Sequence, residues 1–284
     1  MAEPTLTLMM VHAHPDDEAI GTGGILARYA AEGVRTVLVT CTRGEVGEIA
    51  DPAVATPENL PEVRDAELRA ACDLLRVTEL HDLGYRDSGM MGTPENDDPR
   101  SFWRADLDEA TGRLVTLIRR YRPQVLVTYD ENGFYGHPDH IQANRVTVAA
   151  FHAAGDPTRY PDQGLPPWAP QKLYYTAVPL SRVREFAERL RQLDIEVPFE
   201  DDPTEPEFGT PDERIAATVD VRAYADVKRE ALAVHRSQVG VNSFFLLLPP
   251  PVWTEVMGTE YFERPICTVP APEHEDDLFA GLRG

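Results

Sequence analysis

Two short strings in this sequence combine imidazoles and carboxylates at spacings that suit a metal ion. In His14-Pro15-Asp16-Asp17 the imidazole and the second carboxylate stand three residues apart, and in His137-Pro138-Asp139-His140 two imidazoles do. Residues at i and i+3 share one face of a helical turn, so each string can aim two groups at one point. The Pro in second place presets that turn. Two imidazoles and one carboxylate around an open fourth position form a catalytic zinc arrangement. A single H-P-D string is more often only a polar turn; two of them shift the weight toward a metal. If His14, Asp17 and His140 hold the metal, Asp16 is a carboxylate in excess, a candidate general base for a water whose pKa a metal can lower to about 7. His137 suits donation to an oxyanion or a leaving amine, and Tyr135 is a second oxyanion donor. A carbonyl carbon is the natural target.

Both strings must be delivered to one place by the elements that precede them. The first 150 residues alternate short apolar runs with helical patterns, as in βαβ units around a parallel sheet. Strands are expected at Thr5–His12, Val34–Cys41, Thr78–Leu83 and Gln124–Tyr129, and helices at Gly21–Glu32, Glu62–Leu75 and Asp106–Tyr121. The polar clusters all follow the carboxyl ends of these strands, where open α/β sheets bind ligands. The second half is less regular. Lys172–Val178 and Ala217–Val221 read as strands, and Ser181–Leu193 and Tyr224–Arg236 as helices. The expected architecture is α/β: a Rossmann-like, mostly parallel sheet with helices on both faces over residues 1–155. A smaller carboxyl-terminal α+β subdomain, residues 156–284, completes the pocket.

Composition narrows the partners. The 284 residues carry 27 Lys+Arg against 48 Asp+Glu, a formal charge of −21. No basic face for phosphates and no cationic amphipathic helix is legible, so nucleic acid and membrane surfaces are disfavoured. Eight acids lie in Glu196–Glu213 and four in Glu273–Asp277, with no Lys or Arg in either, so the charge excess is expected to be mostly peripheral. Cys41, Cys72 and Cys267 are few, odd in number and far apart, which fits a reduced cytoplasmic protein. No apolar run reaches the length of a signal-peptide core or a membrane span.

The string Ala13-His14-Pro15-Asp16-Asp17-Glu18, with Gly136-His137-Pro138-Asp139-His140 after a later strand, resembles the LmbE-like (PIG-L) zinc-dependent N-deacetylases. Further strings, Gly44-Glu45-Val46-Gly47-Glu48, Arg86-Asp87-Ser88-Gly89-Met90, Thr128-Tyr129-Asp130 and His235-Arg236-Ser237-Gln238-Val239, are similar to the mycothiol-pathway branch of deacetylases and S-conjugate amidases. The resemblance implies a metal on His14, Asp17 and His140, Asp16 as base, His137 as acid or oxyanion stabiliser, and Asp139 orienting an imidazole. It also implies sugar contacts from Glu48, Arg64 and Asp87, with Gln238 reaching in from the carboxyl-terminal part. The implied substrate is an N-acetylglucosaminyl inositol or a similar small amino-sugar glycoside. Zinc is the expected ion, and ferrous iron suits the same ligands. Oligomeric state is not legible.

Blander readings stand beside these. His12 reads as a supporting residue, His81, His152 and His274 as ordinary histidines, and Met90 and Met91 as gap fillers near the mouth. Arg64 has a surface ion pair with Glu67 as its alternative, and Glu48 and Asp87 have solvated loop carboxylates. Gly21-Thr22-Gly23-Gly24 invites a dinucleotide reading but lacks the G-x-G-x-x-G spacing. Where the amidases carry a Lys after the first string this chain reads Ala19-Ile20-Gly21-Thr22-Gly23, which favours deacetylation. An S-conjugate amidase is the alternative activity. A catalytically silent, metal-holding sugar module is the non-enzymatic one, disfavoured because holding a metal needs neither Asp16 nor His137.

Overall fold

The computed structural model describes residues 6–197, 209–240 and 242–283; most of the acidic stretch Glu196–Glu213, expected as a solvated excursion, lies outside them. The strands are β1 (Thr7–His12), β2 (Arg35–Thr42), β3 (Glu79–Tyr85), β4 (Val125–Thr128), β5 (Lys172–Ala177), β6 (Ala217–Asp220) and β7 (Thr259–Cys267). The helices are α1 (Asp17–Gly21), α2 (Gly23–Ala31), α3 (Leu60–Leu75), α4 (Leu107–Tyr121), α5 (Gly133–Gly136), α6 (Pro138–Ala153), α7 (Leu180–Gln192), α8 (Ala225–Ala233), α9 (Phe244–Leu247) and α10 (Pro250–Met257). The strands form one sheet in the order β3-β2-β1-β4-β5-β7-β6. β3 to β5 run parallel, and β7 pairs antiparallel with both β5 and β6. The carboxyl-terminal strands therefore extend the sheet that the first half begins.

Alternation within the strands builds two cores. Leu8, Met10, Leu38, Val125, Val127, Tyr174 and Phe262 face one side, against α2, α3, α8 and Trp253 of α10. Met9, Val11, Val37, Val39, Leu126 and Leu173 face the other, against α4 and α6. The buried strands β1, β2 and β4 read as nearly continuous apolar runs because both faces are covered.

β7 is the strand that hydrophobic alternation does not reveal, for a physical reason. Its buried positions include Glu260 and Glu263 as well as Phe262. Glu260 pairs with Lys228 at 2.7 Å and Glu263 with Arg214 at 2.7 Å. Acids in inward places break the apolar pattern. Pro265 lies where β7 runs beside β5 near a register shift, a place that tolerates a missing N–H.

The same Glu260 decides the Gly21–Gly24 string. Its carboxylate accepts from the N–H groups of Gly24 (2.8 Å) and Ile25 (2.9 Å), filling the helix N-terminus where a pyrophosphate would sit. A Cβ on Gly24 would lie 2.4 Å from Val221, so glycine here serves close packing.

The acidic tail departs from the peripheral expectation. Glu275 is buried, bonded to Lys172, Tyr174 and Arg264, and Lys172 also donates to the Ala280 carbonyl at 2.6 Å. This pins the chain end against β5. Asp277 accepts from the Tyr29 hydroxyl at 2.9 Å and pairs with Arg283 at 2.6 Å. Removing one partner of a buried pair strands the other, so Glu275→Ala is expected to lower the unfolding free energy by about 3–5 kcal/mol. Replacing Lys172 and Glu275 together by Met and Leu should cost much less. Urea denaturation followed by circular dichroism measures both, and a Glu275→Ala variant within about 0.5 kcal/mol of wild type would refute the role given to this pair.

Candidate active site

β1 and β4 are adjacent, and the chain turns from β1 outward in both directions across the sheet, a topological switch point. His14 to Asp17 leave the end of β1, and His137 to His140 follow β4 through the turn at Gly133–Gly136. The second string is a helix start. His137 is the N-cap of α6, its Nδ1 accepting from the Asp139 N–H at 3.1 Å, with Pro138 in the first turn. Gly133 lets the preceding turn lie against α6, since a Cβ there would be 2.7 Å from the His140 Cβ. The first string starts α1, with Asp16 at φ 113°, in the left-handed region. Such a conformation costs a non-glycine residue about 1–3 kcal/mol and persists only where the surroundings over-determine it.

The structure brings His14, His137 and His140 together, all buried, with one nitrogen of each within 4.8 Å of the others. Asp17 lies between two of them, Oδ2 being 3.6 Å from His14 Nδ1 and Oδ1 3.6 Å from His140 Nε2. Asp17 Oδ2 already accepts from the His14 N–H (2.8 Å) and the Tyr129 hydroxyl (2.7 Å). His140 is buried: its Nε2 has no hydrogen-bond partner among the described residues, and the backbone neighbour of its ring is Gly133. Asp17 Oδ1 thus faces this Nε2 across 3.6 Å, and a divalent cation between them would take the lone pairs of both. His14, Asp87 and Asp139 form a second close group, with His14 Nε2 3.2 Å from Asp139 Oδ2 and 3.6 Å from Asp87 Oδ1.

Charge follows this crowding. Burial pushes the His14 imidazole down, but Asp87, Asp139 and Asp17 overcome it and hold its pKa well above the usual value. Burial raises Asp17, and His140 and His14 override that to keep it well below the carboxylate range. Burial with His14 and His140 nearby lowers His137 to about 3, and burial lowers His140 to about 4 against the pull of Asp17. Both are neutral imidazoles at pH 7. Because His137 Nδ1 accepts, its proton sits on Nε2, making that nitrogen a donor. Asp16 is raised by burial, partly offset by Arg64, to about 6. Tyr135 is 46% exposed at the mouth with its ring 5.1 Å from that of His140, and partial desolvation together with Asp17 pushes its hydroxyl up, so it stays a protonated donor.

The remaining expected residues fall into two places. Arg64 is buried, not a surface partner of Glu67: its guanidinium donates to the carbonyls of Pro15 (2.6 Å) and Gly44 (3.1 Å) and lies 3.3 Å from Asp16 Oδ2. Glu67 instead accepts from Ser237. A Cβ on Gly44 or Gly47 would fall 2.2 or 2.4 Å from Arg64 Nη1, so the Gly44–Glu48 string closes around this side chain. Asp87 is no solvated loop acid either; it is buried and accepts from Val46 (3.3 Å) and Gly89 (2.8 Å). Glu48 is exposed, and half-buried Gln238 sits against Gly47 beside it.

Motif reading passed over several supports. Tyr129 donates to Asp17, accepts from the Ala13 N–H at 2.8 Å and stacks on His140 at 4.1 Å between centroids. Ser88 donates to Asp139 from both its backbone N–H (2.9 Å) and its hydroxyl. Both residues stood inside strings that resemble the family, but their chemistry needs partners from distant parts of the chain. His12 bonds Thr22 at 2.9 Å and approaches the Tyr129 hydroxyl at 3.3 Å, the supporting place expected of it.

Comparison with known proteins decides the family. The family model of GlcNAc-PI de-N-acetylase, PIG-L, matches residues 9–151. The chain belongs to the PIG-L family. It is 48% identical, over 99% of both chains, to the 1D-myo-inositol 2-acetamido-2-deoxy-alpha-D-glucopyranoside deacetylase of Geodermatophilus obscurus. Among solved structures it is similar to the N,N'-diacetylchitobiose deacetylase of Pyrococcus horikoshii, with a TM-score of 0.62 at 18% identity over 92% of this chain and 84% of that one. It is about as similar to the 4-carboxy-2-hydroxymuconate hydratase of Pseudomonas putida KT2440, with a TM-score of 0.61 at 18% identity over 94% of this chain and 99% of that one. The fold alone therefore does not select the chemistry.

Arg64 can be tested directly. Arg64→Met strands two buried carbonyls and should lower stability by on the order of 2 kcal/mol. Arg64→Lys should not restore it, because an ammonium lacks the fork that reaches both. Equal urea midpoints for wild type and Arg64→Lys would contradict the assignment.

Proposed function

We propose that this chain hydrolyses the N-acetyl group of an N-acetylglucosaminyl inositol, giving acetate and the free amine. The observation that carries this reading is the site itself: a buried nest of carboxylates and imidazoles with an unpartnered His140 Nε2, and Asp16 lining the same cavity. Identity of 48% over the whole chain to a deacetylase of that name supports the substrate class. His14, Asp17 and His140 would hold the metal, zinc or alternatively ferrous iron. When bound, the ion supplies a Lewis acid that acidifies water and polarises a carbonyl.

This chain's own residues do the rest. Asp16, pointed inward by its left-handed backbone and gripped by Arg64, takes the proton of the attacking water on its carboxylate. The Nε2–H of His137 and the Tyr135 hydroxyl donate to the acyl oxygen as charge develops there. The proton held by Asp16 then passes to the departing amine. Asp139, bonded by Ser88, keeps His14 in one orientation. Glu48 and Gln238 face the sugar hydroxyls at the surface, while Asp87 and Arg64 shape that wall from behind. The free thiols of Cys41, Cys72 and Cys267 accord with a reduced, cytoplasmic setting. Among the described residues no helix is long and apolar enough to cross a membrane.

One observation favours a second activity. A cavity of about 530 Å³ runs from Asp16, Asp17 and His140 past Tyr135 to an apolar wall including Phe186, Phe245 and Met257. That room suits the larger acyl group of a thiol-conjugate amide.

Two measurements test the reading. Asp16→Ala should keep stoichiometric metal while acetate release from N-acetylglucosaminyl inositol falls by about 10²- to 10⁴-fold; undiminished turnover would remove Asp16 from the mechanism. Asp17→Asn should lose metal where His137→Gln retains it and loses about 10²-fold in kcat. The reverse pattern would put His137, not Asp17, on the ion. Faster cleavage of a bimane thiol conjugate than of the acetamido sugar would favour the amidase.

A further inference from the structure

The third acid of the first string has no part in the mechanism above, yet it is among the most enclosed groups in the molecule. Glu18 is fully buried. One carboxylate oxygen accepts the backbone N–H of Asp16 at 2.9 Å, and the other meets His235 Nε2 at 2.7 Å. His235, also fully buried, stands in the turn that follows α8, over 200 residues away in sequence. That turn is held from two sides: Glu67 of α3 accepts from the Ser237 N–H at 2.8 Å and its hydroxyl at 2.6 Å, and the Ser237 carbonyl accepts from the Ala50 N–H at 2.8 Å.

Asp16 is the residue whose placement this controls. Its φ of 113° is a conformation that an L side chain avoids unless something external imposes it. Its carbonyl caps α1 through the Ala19 (3.0 Å) and Ile20 (3.2 Å) N–H groups, and its side chain meets Arg64. The N–H is the remaining handle, and a carboxylate is the strongest acceptor a protein offers it. We infer that Glu18 and His235 form a positioning pair that holds Asp16 in its left-handed conformation, aiming the base at the scissile amide from the carboxyl-terminal half of the chain. The inference rests on Asp16 acting as the base.

A pair that works through Asp16 should affect the chemical step and not binding. With the metal-loaded full-length chain and N-acetylglucosaminyl inositol as substrate, Glu18→Ala should lower kcat by about 10- to 100-fold. Its KM should stay within about twofold of wild type, and its metal stoichiometry should hold. Glu18→Asp, one methylene too short to span both partners, should behave alike and serves if the alanine variant does not fold. His235→Ala should lower kcat in the same direction. The decisive measurement is a cycle with Asp16→Ala: in that background, removing Glu18 should cost nothing further in residual kcat. A fall that adds in full, or a wild-type kcat in both folded Glu18 variants, overturns the inference. Undiminished turnover by Asp16→Ala alone instead overturns the reading of Asp16 on which it stands.

Discussion

Burying carboxylates and imidazoles together at the ends of β1 and β4 is the constraint to which the rest of this structure answers. Asp17, Asp87 and Asp139 surround His14, while His137 and His140 close the other side. Each group would be costly out of water by itself. The fold therefore directs hydrogen-bond donors at them: the Tyr129 hydroxyl at Asp17, Ser88 at Asp139, and the Val46 and Gly89 N–H groups at Asp87. The His140 Nε2 that faces Asp17 is left without a protein partner among the described residues, which is where the proposed metal would sit. The same crowding separates roles among like residues. Asp17 is held well below the carboxylate range, Asp16 is raised by burial to about 6, and His137 is kept neutral with its proton on one side.

The carboxyl-terminal half takes part in this as structure. β7 enters the sheet between β5 and β6, and Glu260 on it caps α2 directly behind the first string. His235 comes from the same half to meet Glu18. Buried acids recur there, Glu260 with Lys228, Glu263 with Arg214, Glu275 with Lys172, each with a cation of its own. A chain this acidic keeps some of its acids inside, where pairing and not solvent carries them.

Much of the first half was legible because its signals are local. β1, β2 and β4 are β-branched or apolar runs, α4 is amphipathic, and both His-Pro-Asp strings sit where strand ends put them. The extent of α6 was not, since a helix covered on many sides shows little contrast between its faces. β7 was hidden by inward glutamates, and the buried place of Arg64, read as a sugar contact or a surface partner of Glu67, was not legible because its acceptors are backbone carbonyls contributed by Pro15 and Gly44. The peripheral view of the acidic tail failed at Glu275 for the same reason: its partner Lys172 lies about a hundred residues earlier.

By itself, then, the sequence determined the class of chemistry, the succession of strands and helices in the first half and the two His-Pro-Asp strings proposed to hold a metal, because spacing along a turn and alternation along a strand are read over a few residues. Only the tertiary structure decided on which nitrogen His137 carries its proton, that Asp87 and Arg64 stand behind the surface, and that Asp16 is twisted into a left-handed turn between Arg64 and Glu18. Protonation and strain are set by neighbours in space, and here those neighbours come from α3, β7 and the turn after α8, far along the chain from the groups they govern.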